Sequence, residues 1–234
     1  ITGGTGFIGR HLIQKLLARP GTIHVLVRKS SKDKFDALLA QMGFDPKRVV
    51  AVYGDLGKPR LGLSPTQVKQ LAGKVKHLFH LAAIYDLKAG AEEQQAANTE
   101  GTRHAVAFAT AVAAGHFHHV SSIAAAGLYD GVFREDMFEE AEELDHPYFR
   151  TKHDSEGIVR RECTRPWRVY RPGFVVGHSK TGFIDKIDGP YYFFKTIQKL
   201  RSMLPPWMPT IGIEGGRLNI VPVDFVADAL DHIA

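Results

Sequence analysis

The chain has 234 residues, of which 44% are apolar and 24% charged, and it carries a formal net charge of +5 at neutral pH. That composition belongs to a folded globular domain with a basic surface, and the single cysteine, Cys163, excludes an internal disulfide. No apolar run reaches the roughly 18 residues of a membrane span, and no Lys/Arg run interleaved with aromatics suits nucleic acid.

A lone thiol fits a reducing compartment and no signal peptide is visible, so the expected location is cytoplasmic. Ile1-Thr2 reads as the last step of a strand, and Asp231-His232-Ile233-Ala234 stops inside a helical pattern. The sequence is therefore expected to be part of a longer chain. Strand-like runs alternate with helical patterns, which predicts an α/β fold: a Rossmann-type, doubly wound parallel sheet with helices on both faces. Residues 1–172 are expected to form the dinucleotide-binding domain, 173–218 a small substrate region rich in Gly, Pro and aromatics, and 219–234 a return to the first domain.

The first strand end runs into Gly3-Gly4-Thr5-Gly6-Phe7-Ile8-Gly9. Gly3, Gly6 and Gly9 have one spacing of the dinucleotide fingerprint. Gly3 permits a tight turn, Gly6 lets the backbone approach a diphosphate, and Gly9 lets the helix sit close to the strand. The helix over residues 7–19 aims free N–H groups and a positive dipole end at the phosphates, with Thr5, Phe7 and Ile8 in the same cradle. A strand over 22–27 ends at Arg28, where an acidic residue would select NAD. Arg28 suits a ribose 2′-phosphate instead, and the expected cofactor is NADPH.

A helix over 33–42 and a strand over 48–53 follow. Asp55 and Leu56, just beyond, are expected at the adenine edge, although Asp55 also reads as a turn cap. Ser64-Pro65 opens a helix. A strand over 77–82 ends in Ala82 and Ala83, small enough to leave room for a ribose. An Ala-rich helix over 92–114 carries Asn98, a residue mildly disfavoured there.

A strand over 118–121 ends at Ser121-Ser122, on the carboxyl edge where doubly wound folds bind ligands. In the helix over 147–162, Tyr148 and Lys152 stand four apart and share a face. A phenol ordinarily titrates near ~10, and a nearby ammonium favours its anion, which equips Tyr148 to exchange a proton with a carbonyl oxygen. Ser122 is placed to hold that oxygen. His118 and His119 point to opposite faces of their strand, and no helical His pair supports zinc, so no metal site is expected.

A strand over 167–171 leads to Pro172, Gly173 and Val175. Beyond it, Tyr191, Tyr192, Phe193, Phe194, Ile197, Leu200, Met203, Leu204 and Trp207 recur at helical spacing. The plainer reading is a helix packed on the core. The others are the wall of an acyl channel, or a lipid-facing surface with Lys195, Lys199 and Arg201 on its polar side. Any membrane contact would be peripheral.

Taken in order, Thr2 to Gly9, Asp55-Leu56, His80 to Ala83, Asn98 with Gly101-Thr102, Val120-Ser121-Ser122, Tyr148-x-x-x-Lys152 and Arg171-Pro172-Gly173 resemble the extended short-chain dehydrogenase/reductase family. The resemblance implies that Tyr148 is the general acid/base and that Lys152 binds the nicotinamide ribose and tunes the tyrosine. It implies that Ser122 orients the carbonyl, that Asn98 has a lesser catalytic role, and that Pro172, Gly173 and Val175 lie against the nicotinamide. His178 to Gly182, Asp188 to Tyr192, Arg134 to Phe138 and Pro205-Pro206-Trp207 are similar to the N-terminal reductase domain of bacterial two-domain, alcohol-forming fatty acyl-CoA reductases.

That similarity implies an NADPH-dependent reductase of a long-chain acyl-CoA or fatty aldehyde, followed by a second reductase domain, with self-association left open. Reduction of another hydrophobic carbonyl or of a nucleotide sugar, and a nucleotide-binding sensor without turnover, are the alternatives. Ala126-Gly127 and Arg28 depart from the nucleotide-sugar branch.

Overall fold

The computed structural model describes residues 1–83, 95–185, 190–203, 205 and 218–234. Five parallel strands make the body: β1 (Ile23–Val27), β2 (Val49–Tyr53), β3 (His77–His80), β4 (His116–Val120) and β5 (Trp167–Tyr170). β1 pairs with β2, and β3 with β4 and β4 with β5. Ile1 and Thr2 join the two groups. Leu26 N–H donates to the Ile1 carbonyl at 2.8 Å on one side, and Thr2 N–H to the Phe79 carbonyl at 2.9 Å on the other. The order across the sheet is therefore β2, β1, residues 1–2, β3, β4, β5, a doubly wound arrangement whose direction of winding reverses beside residues 1–2.

Local chemistry explains where the helices begin and stop. α1 (Phe7–Leu16) leaves the glycine turn and ends shortly before Pro20-Gly21. α2 (Lys32–Met42) closes on Gly43, whose φ of 65° no side chain opposes. α3 (Pro65–Leu71) starts with a reciprocal capping box between Ser64 and Gln67. α4 (Gly101–Ala111) and α5 (Pro147–Glu162) pack together on the sheet, and α7 (Val223–Ile233) packs on α1. The main core gathers Leu61, Leu78, Val106, Phe117, Ile158 and Val159, each 6% exposed or less.

The structure departs from expectation in three places. Residues 95–100 form a π-helical turn before α4, rather than one helix over 92–114. The helical backbone runs on from that turn into α4, and at the junction Gly101 abuts Leu56, where a Cβ would come within 2.9 Å of the leucine side chain. Residues 92–94 lie outside the described residues. β4 begins at His116, because β3 pairs with it from that residue and β5 from Phe117.

The third departure concerns residues 173–218, which hold two regular elements. β6 (Phe174–Val176) pairs in parallel with β7 (Ile220–Pro222), and α6 (Pro190–Met203) lies between them in the chain. Gly and Pro punctuation hides β6 from a reading by alternation, while the helical spacing from Tyr191 on anticipates α6. Phe194, Ile197, Leu200 and Met203 on α6 are 49–71% exposed, so the expected core packing does not hold for them. Asp188, Gly189, Leu204, Pro206 and Trp207 lie outside the described residues, as do the side chains of Tyr192 and Phe193.

Candidate active site

The glycine turn is built against the strand that follows it in the sheet. Gly3 has φ of 71°, and a Cβ on it would sit 2.7 Å from the Ala82 nitrogen. Gly9 leaves space for the Gly3 carbonyl, with which a side chain would collide. Gly6 is the exposed N-cap of α1 and offers no side chain to the helix's free N–H groups. Thr5, Phe7 and Ile8 are half-buried around it. These features fit a dinucleotide diphosphate: backbone donors face outward, and nothing bulkier than hydrogen stands at the approach.

Between the segments that follow β1 and β2 lies a cleft of about 370 Å³, lined by Arg28, Lys29, Ser30, Tyr53, Gly54, Asp55, Lys58 and Gly62. Arg28 and Asp55 therefore line one cleft. Asp55 also caps its own turn, since its Oδ1 accepts from Gly57 N–H at 3.0 Å. The Leu56 side chain packs toward the core beside Gly101.

The second half of the site lies at the carboxyl ends of β4 and β5. Ser122 leaves β4 in extended conformation, and its Oγ accepts from Ala124 N–H at 3.1 Å. The Tyr148 side chain lies near enough for the Ser122 hydroxyl to pull the phenol's pKa down. Tyr148 sits at the start of α5, whose N-cap is His146; Nδ1 of that histidine accepts from Tyr148 N–H at 3.2 Å. Pattern reading passed over His146, although its place just before Pro147 is a helix-start signal. One turn on, Lys152 Nζ lies 6.0 Å from the centre of the Tyr148 ring. Lys152 is only 5% exposed.

Burial dominates the electrostatics of this group. It pushes the Tyr148 phenol above its ordinary value, against a smaller downward pull from the Ser122 hydroxyl. Desolvation lowers the Lys152 ammonium to about 8. Ser122, Tyr148 and Lys152 are thus brought together, with the tyrosine holding its proton at neutral pH.

A buried hydrogen-bonded chain ties this helix to the glycine turn. Thr2 Oγ1 meets His80 Nδ1 at 2.7 Å, and His80 Nε2 meets Thr102 Oγ1 at 3.0 Å. Thr102 donates its proton to the Asn98 carbonyl at 2.6 Å, so the proton between it and the imidazole comes from His80 Nε2. Asn98 Nδ2 donates to Thr151 Oγ1 at 3.2 Å, and Thr151 in turn to the Tyr148 carbonyl. Asn98 thereby touches α5 beside Lys152, through Thr151.

The other face of α5 is fixed by Glu156, which is fully buried. Arg171 forks onto it at 3.0 and 2.6 Å, and Arg160 reaches it at 2.9 Å. Arg171 also donates to the carbonyls of Arg134 and Met137. The next residues stay at the same sheet end. The Pro172 carbonyl accepts from Ile123 N–H, Gly173 stands against the Asn219 backbone, and Val175 lies in β6.

His118 and His119 do face opposite sides of the sheet. His118 pairs with His77 and Tyr170, while His119 stacks on His80. Among the described residues no group of three His, Cys, Asp or Glu is arranged to hold a metal.

A family described as male sterility protein matches residues 1–230 of the chain. The chain is 33% identical, over all its length, to part of the nonribosomal peptide synthetase FrzA of a Cladobotryum species, and 31% identical to part of the aldehyde reductase lnbA of Aspergillus flavus. It spans 24% and 25% of those relatives, about a quarter of their length. Among solved structures, the terminal R domain of the myxalamid biosynthetic pathway superposes with a TM-score of 0.81 at 29% identity, over 98% of this chain and 60% of that one.

Proposed function

Because the chain belongs to the male sterility protein family of extended short-chain dehydrogenases/reductases, we propose that it uses NADPH to reduce the carbonyl of an acyl thioester or of the aldehyde derived from it. The observation that carries this reading is the convergence of Ser122, Tyr148 and Lys152 at the sheet end that the glycine turn also faces. Gly3, Gly6, Gly9, Ala82 and Ala83 would hold the diphosphate and nicotinamide ribose, Arg28 the 2′-phosphate, and Pro172, Gly173 and Val175 the ring. The reduced nicotinamide supplies hydride when bound.

Ser122 and Tyr148 hydrogen-bond the carbonyl oxygen and polarise it. Tyr148 keeps its proton because burial raises its pKa, and it gives that proton to the oxygen as negative charge develops there. Lys152, still cationic below about pH 8, steadies the phenolate that remains. Asn98 holds Thr151, and through it the first turn of α5, in place. With a thioester, the first reduction leaves a hemithioacetal; loss of the thiol yields the aldehyde.

Relatives named as nonribosomal peptide synthetases and an aldehyde reductase support both carbonyl types and a further domain in the full-length protein. The exposed apolar row on α6 supports a long acyl group. The test is turnover of NADPH against acyl thioesters, fatty aldehydes and UDP-sugars. Tyr148→Phe is expected to lower kcat by about 10³-fold or more while NADPH still binds. Unchanged turnover would remove the assigned role.

A further inference from the structure

After β2 the backbone does something costly. Arg60, Leu61 and Gly62 follow one another with φ of 54°, 57° and 69°. Left-handed backbone disfavours side-chain-bearing residues and persists where the surroundings enforce it, often at binding sites. The enforcement here can be traced. Leu61 and Leu63 are 3% and 4% exposed in the main core. The Leu61 carbonyl accepts from Asp55 N–H at 2.7 Å, and Gly54 leaves that carbonyl the space a side chain would fill. Lys58 N–H donates to the Asp55 carbonyl at 3.1 Å, and Asp55 Oδ1 holds Gly57.

The result is a fixed wall, residues 54–62, with an exposed Lys58 on the same cleft as Arg28. Of the three cations lining it, Arg28 and Lys29 come from one loop and Lys58 from the other. Asp55 lines that cleft too, and its carboxylate opposes any anion bound near it.

We propose that Lys58 is a second residue selecting the phosphorylated coenzyme, reaching the 2′-phosphate from the strained turn while Arg28 reaches it from the end of β1. This rests on the NADPH reading above. A phosphate monoester near neutral pH carries close to two negative charges, more than one guanidinium balances beside a carboxylate. Arg28 contributes a planar fork with fixed geometry. Lys58 contributes a compact charge that tolerates approach from several directions, so the pair need not be in register.

The experiment is fluorescence titration of the wild type, Lys58→Ala, Lys58→Arg and Arg28→Ala with NADPH, NADH, 2′,5′-ADP and 5′-AMP. Lys58→Ala is expected to weaken NADPH and 2′,5′-ADP by roughly tenfold and leave NADH and 5′-AMP unchanged. The loss should shrink as salt is raised, and Lys58→Arg should restore most of the affinity. Equal losses for phosphorylated and unphosphorylated ligands, or no loss in Lys58→Ala while Arg28→Ala loses only the phosphorylated ones, overturn the proposal and leave the NADPH reading standing. A wild type that binds 2′,5′-ADP no better than 5′-AMP overturns the NADPH reading, and the role of Lys58 with it.

Discussion

Lys152 shows how far function and stability are opposed at a single residue. Its ammonium is 5% exposed and titrates at about 8 instead of 10.5. Between those two values the unfolded chain binds a proton that the folded chain does not, so stability rises with pH across that window; below about 8 the whole burial cost is present. That cost is on the order of 3 kcal/mol. Lys152→Met keeps the length and removes the charge. It is expected to raise the unfolding free energy at pH 7 by about 1–3 kcal/mol, read by urea denaturation, while abolishing turnover. A variant that unfolds at lower urea would show that the ammonium has stabilising partners in the fold. His80 illustrates the opposite economy at the same depth. Burial holds it neutral, with a pKa of about 3, and both of its ring nitrogens are occupied by threonine hydroxyls.

Among the elements, α5 carries the proposed catalytic pair, and it is held from two sides. One side is the chain from Thr2 through His80, Thr102 and Asn98 to Thr151; the other is Glu156 between Arg160 and Arg171. Glu156→Ala strands two guanidinium groups that are 25% and 15% exposed, and is expected to lower stability by about 3 kcal/mol. Thermal melting checks this, and a shift no larger than that of an exposed glutamate would show the triad to be inert. The helix and the closeness of Tyr148 and Lys152 were legible in the sequence because residues four apart share a face whatever surrounds them. Glu156 was not legible. It reads as one more polar residue on a helix, and its partner Arg171 stands one strand later in the chain. The π-helical turn at 95–100 was hidden by alanine content, since propensity speaks for helix and not for its hydrogen-bond spacing. α6 was half visible: its apolar spacing could be read, but not that the row would face outward.

At the scale of the molecule, the alternation of strands and helices was enough to predict the doubly wound sheet, because each crossover is local and its handedness is general. What alternation could not convey is the make-up of the sheet's centre. His77, His80, His116, His118 and His119 stack across β3 and β4. Burial is the largest cause lowering the pKa of His77, His80, His118 and His119, with about 3 for His80 and His118. Below about 6.5 the unfolded chain gains protons that these rings refuse, so stability falls as pH falls, by up to ~1.4 kcal/mol per pH unit for each fully buried ring. The melting temperature is expected to drop steadily between pH 6.5 and 4; a flat profile would mean that the rings accept protons inside the fold. The histidine stack thus ties the enzyme to near-neutral surroundings by its architecture alone. In an acidified vesicle the scaffold would give way while its tyrosine still held its proton.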